Sequence, residues 1–195
     1  MKRTPALLIS TLLLAAFSCP AFAETYQIDP VHSSIGFKIK HLFSKVTGRF
    51  AEVNGVIEID PNQPENSSVN ATIEVKSIDT QNAKRDSHLK TADFFDVEKF
   101  PAMTFKSKHV KKIDDKTADV IGDLTIHGVT KEVPLRVKFL GKGPGMAGKE
   151  ITGWEATTTI NRKDFGLTWG KMIEGVAAVG DEVEIELQIE APKKA

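Results

Sequence analysis

The chain has 195 residues with 26 basic and 26 acidic side chains, so its formal charge is zero. That balance supplies no long-range field for nucleic acid or an anionic membrane and excludes a role driven by charge alone. Hydrophobic residues make up 41% of the chain and there is one cysteine; a core is affordable, whereas a disulfide framework or a thiolate metal cluster is not.

The first segment reads as an export signal. Lys2 and Arg3 precede an apolar run from Ala6 to Phe17, and Ala21-Phe22-Ala23 forms an A-x-A cleavage site. The run is shorter than the roughly 20 residues of a spanning helix. The expectation is a cleaved signal over 1–23 and a mature periplasmic domain over 24–195. Losing Lys2 and Arg3 leaves 24 basic against 26 acidic residues, a net charge of −2. Cys19 offers a lipidated alternative, against which bulky Phe17 and the following Pro20 both speak. With the cut after Ala23 no cysteine remains.

Period-two alternation then dominates, each run reading as a strand with one apolar and one wet face. Tyr26 and Ile28 start a short strand, and Ile35, Phe37 and Ile39 alternate with Gly36, Lys38 and Lys40. His41 to Val46 is expected to be helical or irregular. Val53, Ile57 and Ile59 make the second long strand, which Asp60-Pro61-Asn62 ends; Val69, Ala71, Ile73 and Val75 make the third. Asn82 to Asp93 lacks alternation and is rich in helix formers, so a short helix is expected over about 82–93, capped by Thr80 or Asn82. Phe94, Phe95, Phe100 and Pro101 lead into a strand carrying Met103 and Phe105, with His109 on the same face.

After a turn at Lys112 to Lys116 come Ala118, Val120, Leu124 and Ile126. His127-Gly128 is the tight hairpin to Val133, Leu135, Val137 and Phe139, since both residues tolerate positive φ. Gly141 to Gly148 is expected to be a flexible loop. Trp154, Ala156 and Ile160 form the seventh set; Val183, Ile185, Leu187 and Ile189 form the eighth.

Eight antiparallel strands with one apolar face each must bury those faces, and one short helix cannot cover them. The sheet therefore closes into a barrel or folds into a sandwich with a dry core. Strands of roughly 8 to 11 residues give a wall roughly 25–35 Å tall. Small inward residues, Ala71, Ala118 and Ala156 with Gly36, Gly55 and Gly122 nearby, leave volume unfilled, and an eight-stranded barrel is wide enough for one guest.

The candidate contacts of that guest fall in strand groups. Ile35, Phe37, Ile39, Phe50 and Ile57 come first, then Ile73, Val75, Phe94, Phe95 and Phe105. Leu124, Leu135, Val137, Trp154, Ile160, Phe165 and Trp169 complete the set. Arg85, Asp86, His88 and Asp93 are the densest polar group; they either meet a polar head at the mouth or anchor the helix by hydrogen bonds. The five histidines His32, His41, His88, His109 and His127 show no metal-ligand spacing, so no metal is expected. No G-x-S-x-G elbow is present, and Gly143-Pro144-Gly145 continues to Met146 rather than into a P-loop. Catalysis and cofactors are not expected.

Four segments, taken in order, carry a family likeness. They are Asp29-Pro-Val-His32-Ser33-Ser-Ile35-Gly-Phe37, Asn82 through Phe105, Gly122 through Val133, and Ile160-Asn-Arg-Lys-Asp-Phe165-Gly166. With Val179-Gly-Asp-Glu-Val183 opening the last strand, the chain from Thr25 to about Ala191 resembles the YceI-like family of lipid- and polyisoprenoid-binding periplasmic proteins. The resemblance implies a lipocalin-like extended eight-stranded barrel around a hydrophobic cavity, isoprenoid or fatty-acid-like guests, and no enzyme activity. It leaves open an interaction or stress module with a dry core, and an enzyme acting on an isoprenoid. Membrane contact is expected to be transient at most. Oligomeric state is open, a homodimer included.

Overall fold

The computed structural model describes residues 23–145 and 148–194; the signal segment lies outside these, apart from Ala23. In chain order the strands are β1 (Glu24–Gln27), β2 (Ser34–His41), β3 (Ser44–Phe50), β4 (Val53–Ile59), β5 (Ser68–Glu74) and β6 (Ile78–Asp79). Helix α1 (Ala83–Leu89) follows, then β7 (Ala102–Lys112), β8 (Thr117–Ile126), β9 (Val129–Pro144) and β10 (Glu150–Asn161). β11 (Met172–Ile173), β12 (Val176–Ala177) and β13 (Val179–Pro192) complete the set. Among the described residues no helix is long and apolar enough to cross a membrane.

Eleven of these segments form one antiparallel sheet in the order β1-β4-β5-β7-β8-β9-β10-β13-β2-β3-β6, and β11–β12 is a separate hairpin. The eleven reduce to eight staves because three are bent, β1 running on as β2, β3 as β4 and β5 as β6. β1 and β2 lie on the same side of β13: Lys194 N donates to Thr25 O at 2.8 Å, Asp29 N to Glu190 O at 2.9 Å, and β2 pairs Ser34 with Gln188 onward. β3 pairs with β2 while β4 pairs with β1 and β5, the bend falling at Ala51-Glu52. The sheet therefore returns to its first strand.

Two expectations about local structure are corrected. His41 to Val46 is not irregular; Leu42-Phe43 is a turn with Leu42 at φ 49°, and β3 begins at Ser44. Its inward face is Val46, Gly48 and Phe50, and a Cβ on Gly48 would stand 2.4 Å from Phe37 Cζ. The strand needs a glycine there, and the glycine hides the alternation. Gly141 to Gly148 is not all loop either, for β9 runs through Pro144 against β10, with a register shift at Gly153/Trp154.

The helix is shorter than its sequence signal. Asn82 caps it, its side chain accepting from Arg85 N. After Leu89 the chain tightens, with Phe95 N bonding Leu89 O at 3.1 Å and Asp96 at φ 46°. The β8–β9 hairpin turns on His127 and Gly128 at φ 50° and 75°, the mirror-image turn whose twist suits antiparallel strands.

Candidate ligand-binding cavity

The inward faces do not meet. They enclose a cavity of about 900 Å³ whose wall includes residues from both ends of the barrel. One end carries α1, the β2–β3 turn and the β10–β13 connection. The other carries the start of β1, the end of β13 and the β4–β5 and β7–β8 loops. The volume is at the upper end of the range of about 300–1,000 Å³ usual for ligand sites.

Most of the wall is apolar. Ile35, Phe37 and Ile39 of β2, Ile57 of β4 and Ile73 of β5 line it side by side, with Phe105, Leu124, Leu135, Val137, Trp154 and Ile160 completing the circuit. Phe50 packs on Phe37 at 5.7 Å and on Phe95 at 5.8 Å between ring centroids. Val75 and Phe165 do not line the cavity. Each sits in a 3-10 turn just beyond a strand, 1% and 2% exposed in the core. Alternation cannot see that a strand has ended, which is why both were placed inside.

A bulge explains a further correction. β7 and β8 slip register between Ser107 and His109, so His109 turns to the exposed outer face and Val110 takes its place on the cavity wall. Two of the three glycines are corrected too, while Gly36 does border the cavity. A Cβ on Gly122 would lie 2.6 Å from Phe105 Cζ, and one on Gly55 2.7 Å from Ile28 Cδ1. Neighbouring side chains already occupy those spaces. Ala71, Ala118 and Ala156 do face the cavity, and the free volume lies against the alanines.

At the helix end, polar groups are tightly organised. Asp86 accepts from Thr80 N at 2.9 Å and from its hydroxyl, and Arg85 Nε and Nη2 donate at 2.7 Å to Thr80 Oγ1 and Thr80 O. Asp86 is thus spent on anchoring α1 and lies off the cavity wall, whereas Arg85 and His88 are on it. His88 bonds Asp93 at 2.9 Å and meets Phe94 and Trp169 edge-on, with Phe94 and Trp169 4.8 Å apart. These three rings close part of the mouth. Arg162, 4% exposed, pins the adjoining connection by donating to Gly180 O, Leu167 O and Trp169 O at 2.6–2.8 Å. Burial pulls its pKa below the usual guanidinium value.

At the opposite end Tyr26 Oη lies 2.6 Å from Glu150 Oε1 and 2.9 Å from Glu24 Oε2. One hydroxyl proton serves one carboxylate at a time, and Lys193 holds Glu24 at 2.6 Å. Burial, reinforced by both carboxylates, pushes the phenol well above its ordinary range, while Glu24 is held low by Lys193 and Glu150 by Tyr26. This cluster ties β1 to β10 and the end of β13.

One grouping escaped the spacing test for metals. Asp29, His32 and Glu190 bring three donor atoms within 4.8 Å on the outer surface. Glu190 comes from β13, so no motif could show it. The donors are occupied with one another, Asp29 Oδ2 holding His32 Nδ1 at 2.8 Å.

Comparison with known proteins follows from this geometry. The YceI-like domain profile matches residues 26–191. A UPF0312 protein of Pseudomonas putida strain F1 is 39% identical over 198 residues, covering 100% of this chain and 99% of its own. A YCEI protein of Campylobacter jejuni superposes with a TM-score of 0.70 at 33% identity, covering 96% and 100% of the two chains. A polyisoprenoid-binding domain from Saccharophagus degradans gives a TM-score of 0.65 at 14% identity over 87% of this chain and 98% of that one, a likeness of fold alone.

Proposed function

Because the chain belongs to the YceI-like family, we propose that it is a non-catalytic carrier holding one long apolar lipid, a polyisoprenoid or fatty-acid-like chain, in its barrel. The single observation that carries this is the apolar cavity of about 900 Å³ with walls drawn from both ends of the barrel. The binding named for the Saccharophagus degradans domain points to the same lipid class. The protein works in the periplasm, reached through the N-terminal signal. Any polar head group lies at the helix end beside Arg85 and His88, and an anionic or carbonyl oxygen there matches the guanidinium donors.

The energetics define what such a carrier can do. At about 30 Å³ per water-sized group, the cavity holds roughly thirty methylene-sized units. A yield of about 0.3 kcal/mol per heavy atom then gives about 9 kcal/mol against water, a Kd of roughly 0.3 µM. A lipid taken from a bilayer is already dry and gains almost nothing. The protein therefore exchanges lipid with membranes rather than draining them.

Delipidated protein titrated with a fluorescent long-chain isoprenoid tests the proposal. It predicts saturation at one probe per chain, displacement by unlabelled isoprenoid, and recovery of the lipid chemically unchanged. Absence of saturable binding, or turnover of the recovered lipid, would overturn it.

A further inference from the structure

The helix end carries a feature that the cavity does not use. The β2–β3 turn lifts Phe43 into solvent at 97% exposure. Beside it the β11–β12 hairpin, turned on Glu174 and Gly175 in left-handed backbone, presents Met172, Ile173 and Val176 at 67%, 49% and 45% exposure. The two tips are tied together: Leu42 N donates to Ala178 O at 3.1 Å, and Ala178 N to Lys171 O at 2.8 Å. Single exposed apolar residues are common on any surface; four large ones on joined tips mark a contact surface.

Two further observations say what the contact is. The residues flanking the tips, His41, Val46 and Val179, belong to the cavity wall, so the patch is continuous with the mouth. The charges nearest in sequence are mainly basic. Lys40 and Lys171 are exposed and have no ion-pair partner among the described residues, Lys45 is held by Glu184 at 2.6 Å, and Glu174 is the acidic residue at the hairpin turn. An apolar centre flanked by lysines matches the interfacial layer of an anionic bilayer.

We propose that this rim is a membrane-docking surface, with Phe43, Met172, Ile173 and Val176 entering the interfacial layer of an anionic bilayer and setting the cavity mouth against it. The inference rests on the carrier reading for its purpose. Each methylene exposed to water during transfer lowers the rate by about fourfold, so a mouth pressed to the bilayer is the fast route for a long chain.

Flotation with vesicles of phosphatidylcholine and phosphatidylglycerol tests this, using the mature wild-type chain, the double variant Phe43→Ser/Ile173→Ser, and Ile113→Ser as a control at the opposite end. The wild type and the control should float, with binding that falls at high salt. The double variant should bind vesicles about tenfold more weakly or worse, with unaltered isoprenoid binding in vesicle-free solution. Equal flotation of the double variant, or no flotation of the wild type, overturns the proposal. So does a wild-type dimer, seen by light scattering, that the double variant dissolves. Patch-dependent flotation without any isoprenoid uptake would uphold docking and refute the carrier reading.

Discussion

Trp154→Ala separates a hollow barrel from a packed one. Trp154 stands on β10 with its ring 4.6 Å from Phe139, borders the cavity, and has a buried Nε1 without a hydrogen-bond partner. Truncating a tryptophan in a filled core costs about 3–5 kcal/mol, much of it for the hole left behind. Here the ring already borders open volume, so truncation enlarges a cavity instead of creating one. The losses are the Phe139 contact, about 0.5–1.5 kcal/mol, and about half the burial of a large side chain, roughly 1–1.5 kcal/mol. Removing an N–H cut off from water returns about 1–3 kcal/mol. At the middle of these ranges the gain nearly cancels the losses, so the net destabilisation is below about 1 kcal/mol. Urea unfolding of the delipidated protein should show a midpoint little changed with an unchanged slope, and a Tm drop of less than about 4 °C. Lipid retention should suffer more. A loss of about 3 kcal/mol or more would refute the hollow-barrel reasoning.

Ala156→Phe, between Val137 and Leu187 on the cavity wall, should fill lipid space. It should fold with less than the usual overpacking cost of about 1–3 kcal/mol yet take up shorter or fewer lipid chains; unchanged uptake would contradict this. Arg162→Lys should destabilise by about 3 kcal/mol, since a point charge cannot serve the three carbonyls that the fork holds; unfolding within about 0.5 kcal/mol of wild type would contradict this. His32 is raised by its bond to Asp29, and Asp29 is lowered by the same bond. The pair's stabilisation is therefore present on the acid side of the unfolded histidine pKa of about 6.5. It is lost as pH rises through the higher folded value, and again in acid as Asp29 protonates below its ordinary range. NMR titration should give His32 a midpoint above 6.5 that returns toward it in Asp29→Asn; a midpoint at or below 6.5 in the wild type contradicts the pairing.

The barrel was legible because its walls repeat with period two: Ile35, Phe37 and Ile39 on β2 and Leu135 and Val137 on β9 are on the cavity side. What escaped did so for local reasons. β3 was hidden because Gly48 makes room for the Phe37 ring, and Val110 because a bulge changed the parity of β7. Val75 and Phe165 looked like wall residues because a 3-10 turn leaves no mark on alternation. Asp86 was open between a mouth role and a helix anchor, and the bonds it accepts from Thr80, six positions away, make it the anchor. The Tyr26–Glu150 contact spans 124 positions and could come only from the fold.

Gentle native mass spectrometry of the protein purified from an exporting host, without added detergent or lipid, bears most directly on whether the barrel carries a guest. The carrier account predicts a species heavier than the polypeptide by one long-chain lipid, released on activation and extractable into organic solvent. Repeated preparations at the bare polypeptide mass, with nothing extractable, would contradict it.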